Sequence, residues 1–139
     1  MSEAMSDELT NDPVSEVLSR HGIAPPRCGF YVGPGWLPIV DRALGRLVEA
    51  GWDRGLEQVK QKFCQLRIYL SCSLGYVEDG KWYPNDLGKI VNEAADECDR
   101  VCEVCGGERE SKGGGWGLAA CNACKRDLEE KRARAATGR

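Results

Sequence analysis

This sequence predicts an α+β fold in which helices pack on a small antiparallel sheet and a cysteine-rich ribbon closes the chain. Three observations predict it. Apolar residues recur at helical spacing around 36–48 and again around 87–101, giving two amphipathic helices. Between them Leu66, Ile68, Leu70 and Cys72 alternate with Arg67, Tyr69 and Ser71, the period of a half-buried strand. Finally, Cys102, Cys105, Cys121 and Cys124 form two C-x2-C pairs fifteen residues apart.

The elements follow in order. Residues 1–12 read as a disordered acidic arm. Asp12 and Pro13 supply an N-cap and a first helical position for a short helix carrying Val14, Val17 and Leu18, which Gly22 stops. Prolines and glycines from Pro25 to Gly35 exclude a long regular element there. The main core helix then presents Trp36, Leu37, Ile39, Val40, Leu44, Leu47 and Val48 on one face and ends at Gly51.

Val59 to Phe63 pairs with the alternating strand through a turn at Cys64 and Gln65, and YVEDGKWY forms a second hairpin about Asp79-Gly80. After Pro84 and Asn85 a helix buries Leu87, Ile90, Val91, Ala94, Ala95, Cys98 and Val101 and leads into the first cysteine pair. Past Cys124, RDLEEKRARAA has charge couples at i,i+4 but one large apolar residue, Leu128, which suits a solvated helix. The organisation expected is an arm at 1–12, an α+β domain at 13–100, a four-cysteine ribbon at 101–126 and a basic helical tail at 127–139.

The 139 residues suffice for one main core. Hydrophobic residues at 42% and charged residues at 29% exclude a disordered chain. The N-terminus lacks the basic start and apolar run of a signal peptide, and no window is long and apolar enough for a membrane span, so a cytoplasmic location is expected. Net charge is -3, with the segment 102–139 alone basic, eight cations against six carboxylates. That balance argues against nonspecific nucleic-acid binding by the whole chain and leaves room for a local patch.

In a reducing compartment paired cysteines serve metal or redox chemistry more often than structural bridges. Zinc takes four thiolates in a tetrahedron, and two short C-x2-C turns present them from opposite sides. The C-x2-C-x15-C-x2-C spacing falls among zinc signatures, which makes Cys102, Cys105, Cys121 and Cys124 the expected ligands of one structural Zn2+ with a closed shell. A thiol–disulfide or iron–sulfur role is the alternative, but a thioredoxin-like site needs its C-x-x-C at the start of a helix in a βαβ context, which neither pair suggests. Cys72 and Cys98 fall on apolar faces and read as small core hydrophobes, although Cys98, four residues before Cys102, stands within reach of a ligand role. Cys28 and Cys64 carry no signal of their own. Trp116 is expected to pack beside the metal turn, within the glycine-rich loop 113–117.

No catalytic constellation is visible. The single histidine, His21, lies at a helix end where a dipole contact suits it better than proton transfer, and GGERESKGGGWG lacks the order of a phosphate loop. What remains is surface. Lys60 and Lys62 share one strand face, and Arg67 and Tyr69 share the polar face of the next, a basic and aromatic patch fit for single-stranded nucleic acid or an acidic protein. Trp52, Trp82 and Tyr83, in turn-rich segments, either cap the core or anchor a partner.

GPGW at 33–36, QVKQKFCQLRIY at 58–69, EAADECDRVCEVCGG at 93–107 and GWGLAACNAC at 115–124 occur in an order that resembles a family of small, largely uncharacterised phage and prophage proteins. The family pattern is a glycine-tryptophan at a helix start, a QVKEKFGGLRFY-like segment, a helix, and two C-x2-C pairs with GW before the second. The resemblance spans roughly 29–124. It departs at Cys64 and Gln65, which stand where the family has paired glycines, and at Gly117 after Trp116. The resemblance implies a zinc ribbon and a mobile-element origin in a bacterial host cell, and it carries over no catalytic residue. The function expected is therefore non-enzymatic protein–protein binding, such as inhibition of a host defence complex of the CRISPR type. Nucleic-acid binding through Lys60, Lys62, Arg67 and Tyr69 is the first alternative and an unrecognised enzyme the second.

Overall fold

A computed structural model describes residues 12–110 and 118–137. Its elements are α1 (Pro13–Arg20), β1 (Phe30–Tyr31), α2 (Leu37–Glu49), β2 (Leu56–Lys62), β3 (Gln65–Leu70), β4 (Gly75–Glu78), β5 (Lys81–Pro84), α3 (Asp86–Cys98) and α4 (Asn122–Thr137). The α+β class holds, with helices and small sheets in the expected order. The acidic arm up to residue 11 and the loop 111–117, Trp116 included, lie outside the described residues.

The sheet arrangement differs from a single antiparallel sheet. β1, β2 and β3 form one mixed sheet, with β2 and β3 antiparallel and β1 parallel to β2, pairing Phe30 with Val59 and Tyr31 with Lys60. β4 and β5 form a separate two-stranded hairpin. A two-residue strand in a proline-rich segment has no periodicity to read, so β1 is fixed by tertiary contact alone. β3 also ends at Leu70, leaving Cys72 half-buried beyond the strand rather than on its apolar face.

The β2–β3 turn falls at Phe63 and Cys64, one residue earlier than expected, with φ of +53° and +65°. Two successive positive φ values match the right-handed twist of the hairpin, a geometry usually left to Asn-Gly or Gly-Gly. For residues with a Cβ it costs on the order of 1–2 kcal/mol each. Cys64 offsets this by being buried, with its N–H donating to Gln61 Oε1 at 3.2 Å and its carbonyl accepting from Arg109 Nη2 at 3.4 Å. At the β4–β5 turn, Asp79 and Gly80 take the same geometry where the sequence placed it.

One core joins α1, α2, α3 and the inner face of the mixed sheet. Trp36, Val40, Leu44 and Leu47 from α2 and its cap meet Val59, Leu66 and Ile68 from the sheet and Ile90, Ala94 and Cys98 from α3. Burying one such large side chain stabilises the fold by about 1.5–3 kcal/mol. Asn85 caps α3 by accepting from the Gly88 N–H at 2.9 Å. Outside, Arg42 pairs with Glu97 at 2.6 Å and Arg46 with Glu93 at 3.1 Å across the α2–α3 seam. His21 makes a more specific contact than a helix dipole: its Nε2 lies 2.6 Å from Asp41 Oδ1, and Arg20 pairs with the same carboxylate, tying α1 to α2.

Candidate metal centre

The first cysteine pair sits on a tight hairpin. Val101 bridges Glu108, the Arg109 N–H donates to the Arg100 carbonyl at 2.9 Å, and the Cys102 N–H donates to Gly107 O at 2.8 Å. Gly106, at φ +80°, lets the chain reverse between these partners. The second pair departs from expectation, because Cys121 immediately precedes α4 and Cys124 lies in its first turn. A C-x-x-C does therefore open a helix. Its thiols nevertheless converge on the first pair instead of standing alone, and the hairpin before it is no βαβ unit. A hairpin carries the first pair and the start of a helix the second, and α4 runs unbroken from the ribbon into the basic tail.

The four sulfurs of Cys102, Cys105, Cys121 and Cys124 all lie within 4.8 Å of one another. Cys105 Sγ and Cys121 Sγ are 3.9 Å apart, close to the edge of about 3.8 Å that a tetrahedron with metal–sulfur bonds of about 2.3 Å requires. Backbone N–H groups converge as well: Val104 and Cys105 donate to Cys102 Sγ at 3.3 and 3.4 Å, and Gly107 donates to Cys105 Sγ at 3.4 Å. Such donors stabilise thiolate and orient it for a cation. Burial pushes the Cys102 thiol up, yet the N–H groups of Cys105, Cys121 and Val104 outweigh it and bring Cys102 down to about 6. Cys124 goes the other way, up to about 12, because it is hydrogen-bonded to the Cys121 sulfur and partly desolvated. Soft thiolates in this number and shape can hold a metal ion with no ligand position left open.

Cys98 is not part of the cluster. It is fully buried in the main core, and desolvation first, then the Glu97 carboxylate, pushes its thiol up to about 12. All eight cysteines are free thiols, and Cys64 and Cys72 contribute to the core.

Contacts invisible in the sequence seat the knuckle. Gly33 and Gly35 approach its backbone so closely that a Cβ would lie 2.1 Å from the Glu103 carbonyl oxygen and 2.2 Å from that of Cys102, respectively. Gly35 N–H donates to Glu103 O at 2.7 Å, and the buried Trp36 indole donates to Val101 O at 2.8 Å. Glu103 is itself buried, its Oε2 accepting from Gln61 Nε2 at 3.0 Å and from the Ala119 N–H at 2.9 Å. Buried Arg109 donates to Cys98 O at 2.9 Å and lies 4.0 Å from Asp99. Nothing in a C-E-x-C or G-x-x-R text marks either charge as buried, since their partners are distant in the chain.

The four surface residues singled out earlier do share one face. Lys60 is the register partner of Arg67, with Tyr69 opposite Gln58 and Lys62 opposite Gln65, all pointing away from Val59 and Ile68. Lys60 Nζ lies 5.9 Å from the Tyr69 ring centroid, and exposed Tyr31 and Phe63 extend the face. The three aromatics in question divide: Trp52 is 3% exposed and caps the core, whereas Trp82 is 58% exposed and Tyr83 is also open to solvent.

Compared with known proteins, the chain matches no family model, no curated protein and no solved structure. No described helix is long and apolar enough to cross a membrane.

Proposed function

We propose that this chain is a non-enzymatic docking module in which a structural zinc ion sets the C-terminal third and an exposed hairpin engages a protein partner. The observation that carries this reading is the β4–β5 hairpin. Val77 and Trp82, register partners on one face, are 70% and 58% exposed, and Tyr76 stacks on Tyr83 at 5.6 Å on the other. Soluble proteins seldom spend a tryptophan and a valine on open solvent, and aromatic anchors of this kind concentrate binding energy in interfaces. Four thiolates and no open ligand position suit zinc in a structural role. The resemblance to phage and prophage proteins suggests where to look: a host complex, for example a defence assembly, held in stoichiometric inhibition.

Capture from a bacterial lysate on the zinc-loaded chain tests this, run beside Val77→Asp and Trp82→Ala variants. A stoichiometric partner lost with either variant supports the reading, and partners retained equally by all three chains refute it. The shared face of Lys60, Lys62, Arg67 and Tyr69, flanked by Tyr31, favours a second reading, binding of single-stranded nucleic acid. That reading requires an affinity for a fluorescent oligothymidine that falls steeply with salt, and a flat response removes it.

A further inference from the structure

Two ring-and-lysine pairs stand on the outer face of the mixed sheet, Tyr69 with Lys60 and Phe63 with Lys62. We infer that each takes one nucleotide of a single strand laid along the β2–β3 hairpin. This inference deepens the nucleic-acid reading given above and rests on it; what it adds is where the bases sit and which cation serves each. Lys60 Nζ lies 5.9 Å from the Tyr69 ring centroid, and Lys62 Nζ lies 5.7 Å from that of Phe63. Tyr69 is 40% exposed and Phe63 48%, so solvent reaches both rings. A nucleotide offers a flat base and, one sugar away, a phosphate. An open ring with an ammonium beside it meets both groups: the base stacks on the ring, and the flexible lysine swings to the phosphate.

Strand register sets the spacing of the two pairs. Tyr69 is opposite Gln58 and Lys62 is opposite Gln65, four residues apart along either strand and so about 13 Å. Between them Arg67 faces Lys60, whose parallel partner in β1 is Tyr31, 70% exposed. A Cβ on Gly29 would lie 2.1 Å from the Tyr31 ring, so the glycine lets that ring fold back against the backbone. Tyr31 is thereby a third platform beside the path.

Charge selects the occupant. β1, β2 and β3 carry Lys60, Lys62 and Arg67 against one carboxylate, Glu57, which accepts from Ser71 Oγ at 2.6 Å past the end of β3. Gln58 and Gln65, between the cations and the rings, are neutral amides. An acidic protein segment would satisfy the cations and leave three rings in water, whereas a single strand supplies phosphates and bases together. A duplex keeps its bases stacked inside and presents phosphates alone to a flat face.

Titration of the zinc-loaded full chain with fluorescent hexathymidine tests the inference. Tyr69→Thr, which suits a strand, and Phe63→Asn, which suits the positive φ of that position, should each weaken binding at least about fivefold. Their salt dependence should match the parent's, because a stacked base carries no charge. Tyr69→Phe keeps the ring and should bind as the parent does. Lys60→Gln and Lys62→Gln should instead each reduce the slope of log affinity against log salt by about 0.7, one phosphate's share. Salt-dependent binding that the ring variants leave intact would overturn the two subsites while the nucleic-acid reading stands. Polyglutamate or inorganic polyphosphate competing as well as hexathymidine at equal charge would overturn them too, since the face would then read charge alone. No salt-dependent binding at all removes the inference and that reading together.

Discussion

Cys98 and Cys102 stand four residues apart, both fully buried, and their chemistry is opposite. Around Cys98 are the aliphatic side chains of the main core, and desolvation drives its thiol up to about 12. Around Cys102 are backbone N–H groups and three other sulfurs, and despite burial its thiol comes down to about 6. Burial alone thus decides neither role. The difference lies in what the backbone does at each position: at Cys98 the helix consumes its own N–H groups, whereas past Arg100 the chain turns back on itself and frees N–H groups to point at sulfur. One part of the molecule is held by the main apolar core, the other is a small separate cluster of Cys102, Ala120 and Cys121 beside four sulfurs that can hold a metal ion.

The largest effect that sharpens this contrast is metal removal. Binding in zinc-finger peptides is worth about 10–16 kcal/mol at neutral pH. Chelation, or Cys102→Ser, should erase amide protection through 100–109 and 118–124 while α2, β2 and β3 keep theirs, read by hydrogen exchange. Metal affinity should also rise with pH. Thiols bind a metal as thiolates, so loading the site releases protons, and Cys124, whose thiol is pushed up to about 12 chiefly by its hydrogen bond to the Cys121 sulfur, is one that must give its proton up. A competition titration between pH 5.5 and 8 checks it.

Next comes the joint between the two regions. In Gly35→Ala the new methyl would lie 2.2 Å from Cys102 O and 2.5 Å from Gly106 N, both backbone atoms that cannot swing aside. Displacing the knuckle should cost on the order of 1–3 kcal/mol, and every 1.4 kcal/mol of it that falls on the bound state weakens metal about tenfold. An alanine variant that binds metal as tightly as the parent would show that the glycines do not seat the knuckle.

These same residues show where reading the chain succeeds and where it stops. Periodicity located α2, α3 and the alternating strand β3, because the apolar stripe of each is a local property of its residues, and the Asp79-Gly80 turn located the second hairpin. Spacing located the four clustered thiols for the same reason, since two thiols three residues apart are held close together. Trp36 was legible as apolar but not as the donor to Val101, a residue 65 positions away. Glu103 and Arg109 carry no local sign of burial, because a charge is usually outside, and only the assembled fold surrounds them with Gln61, Ala119 and Cys98. The place of β3 at the edge of the sheet depends on which strands pair, which no single segment specifies.

A smaller effect probes Cys98 by itself. Its thiol titrates near 9 in the unfolded chain and near 12 in the folded one, so the unfolded state loses the proton first as pH rises. Cys98 therefore contributes stability that is fully present below about 9 and is lost progressively towards 12. Denaturation of the zinc-loaded chain and of Cys98→Ala should give curves that differ by a pH-independent packing loss below 9 and converge above it.

The smallest effect is expected at the surface. Arg42 and Arg46 pair with Glu97 and Glu93 across the α2–α3 seam, but all four side chains are well exposed. Ion pairs of that kind contribute about 0.2–1 kcal/mol and weaken with salt. Changing both arginines to alanine should lower stability by no more than about 2 kcal/mol in total, less at high salt. Metal affinity should stay as it was, because neither arginine takes part in the glycine and tryptophan contacts that grip the knuckle. A loss of metal binding in this variant would break the comparison from the other side: the packing of α2 on α3, rather than the Gly33–Trp36 clasp, would then be what transmits the apolar core's order to the cysteines.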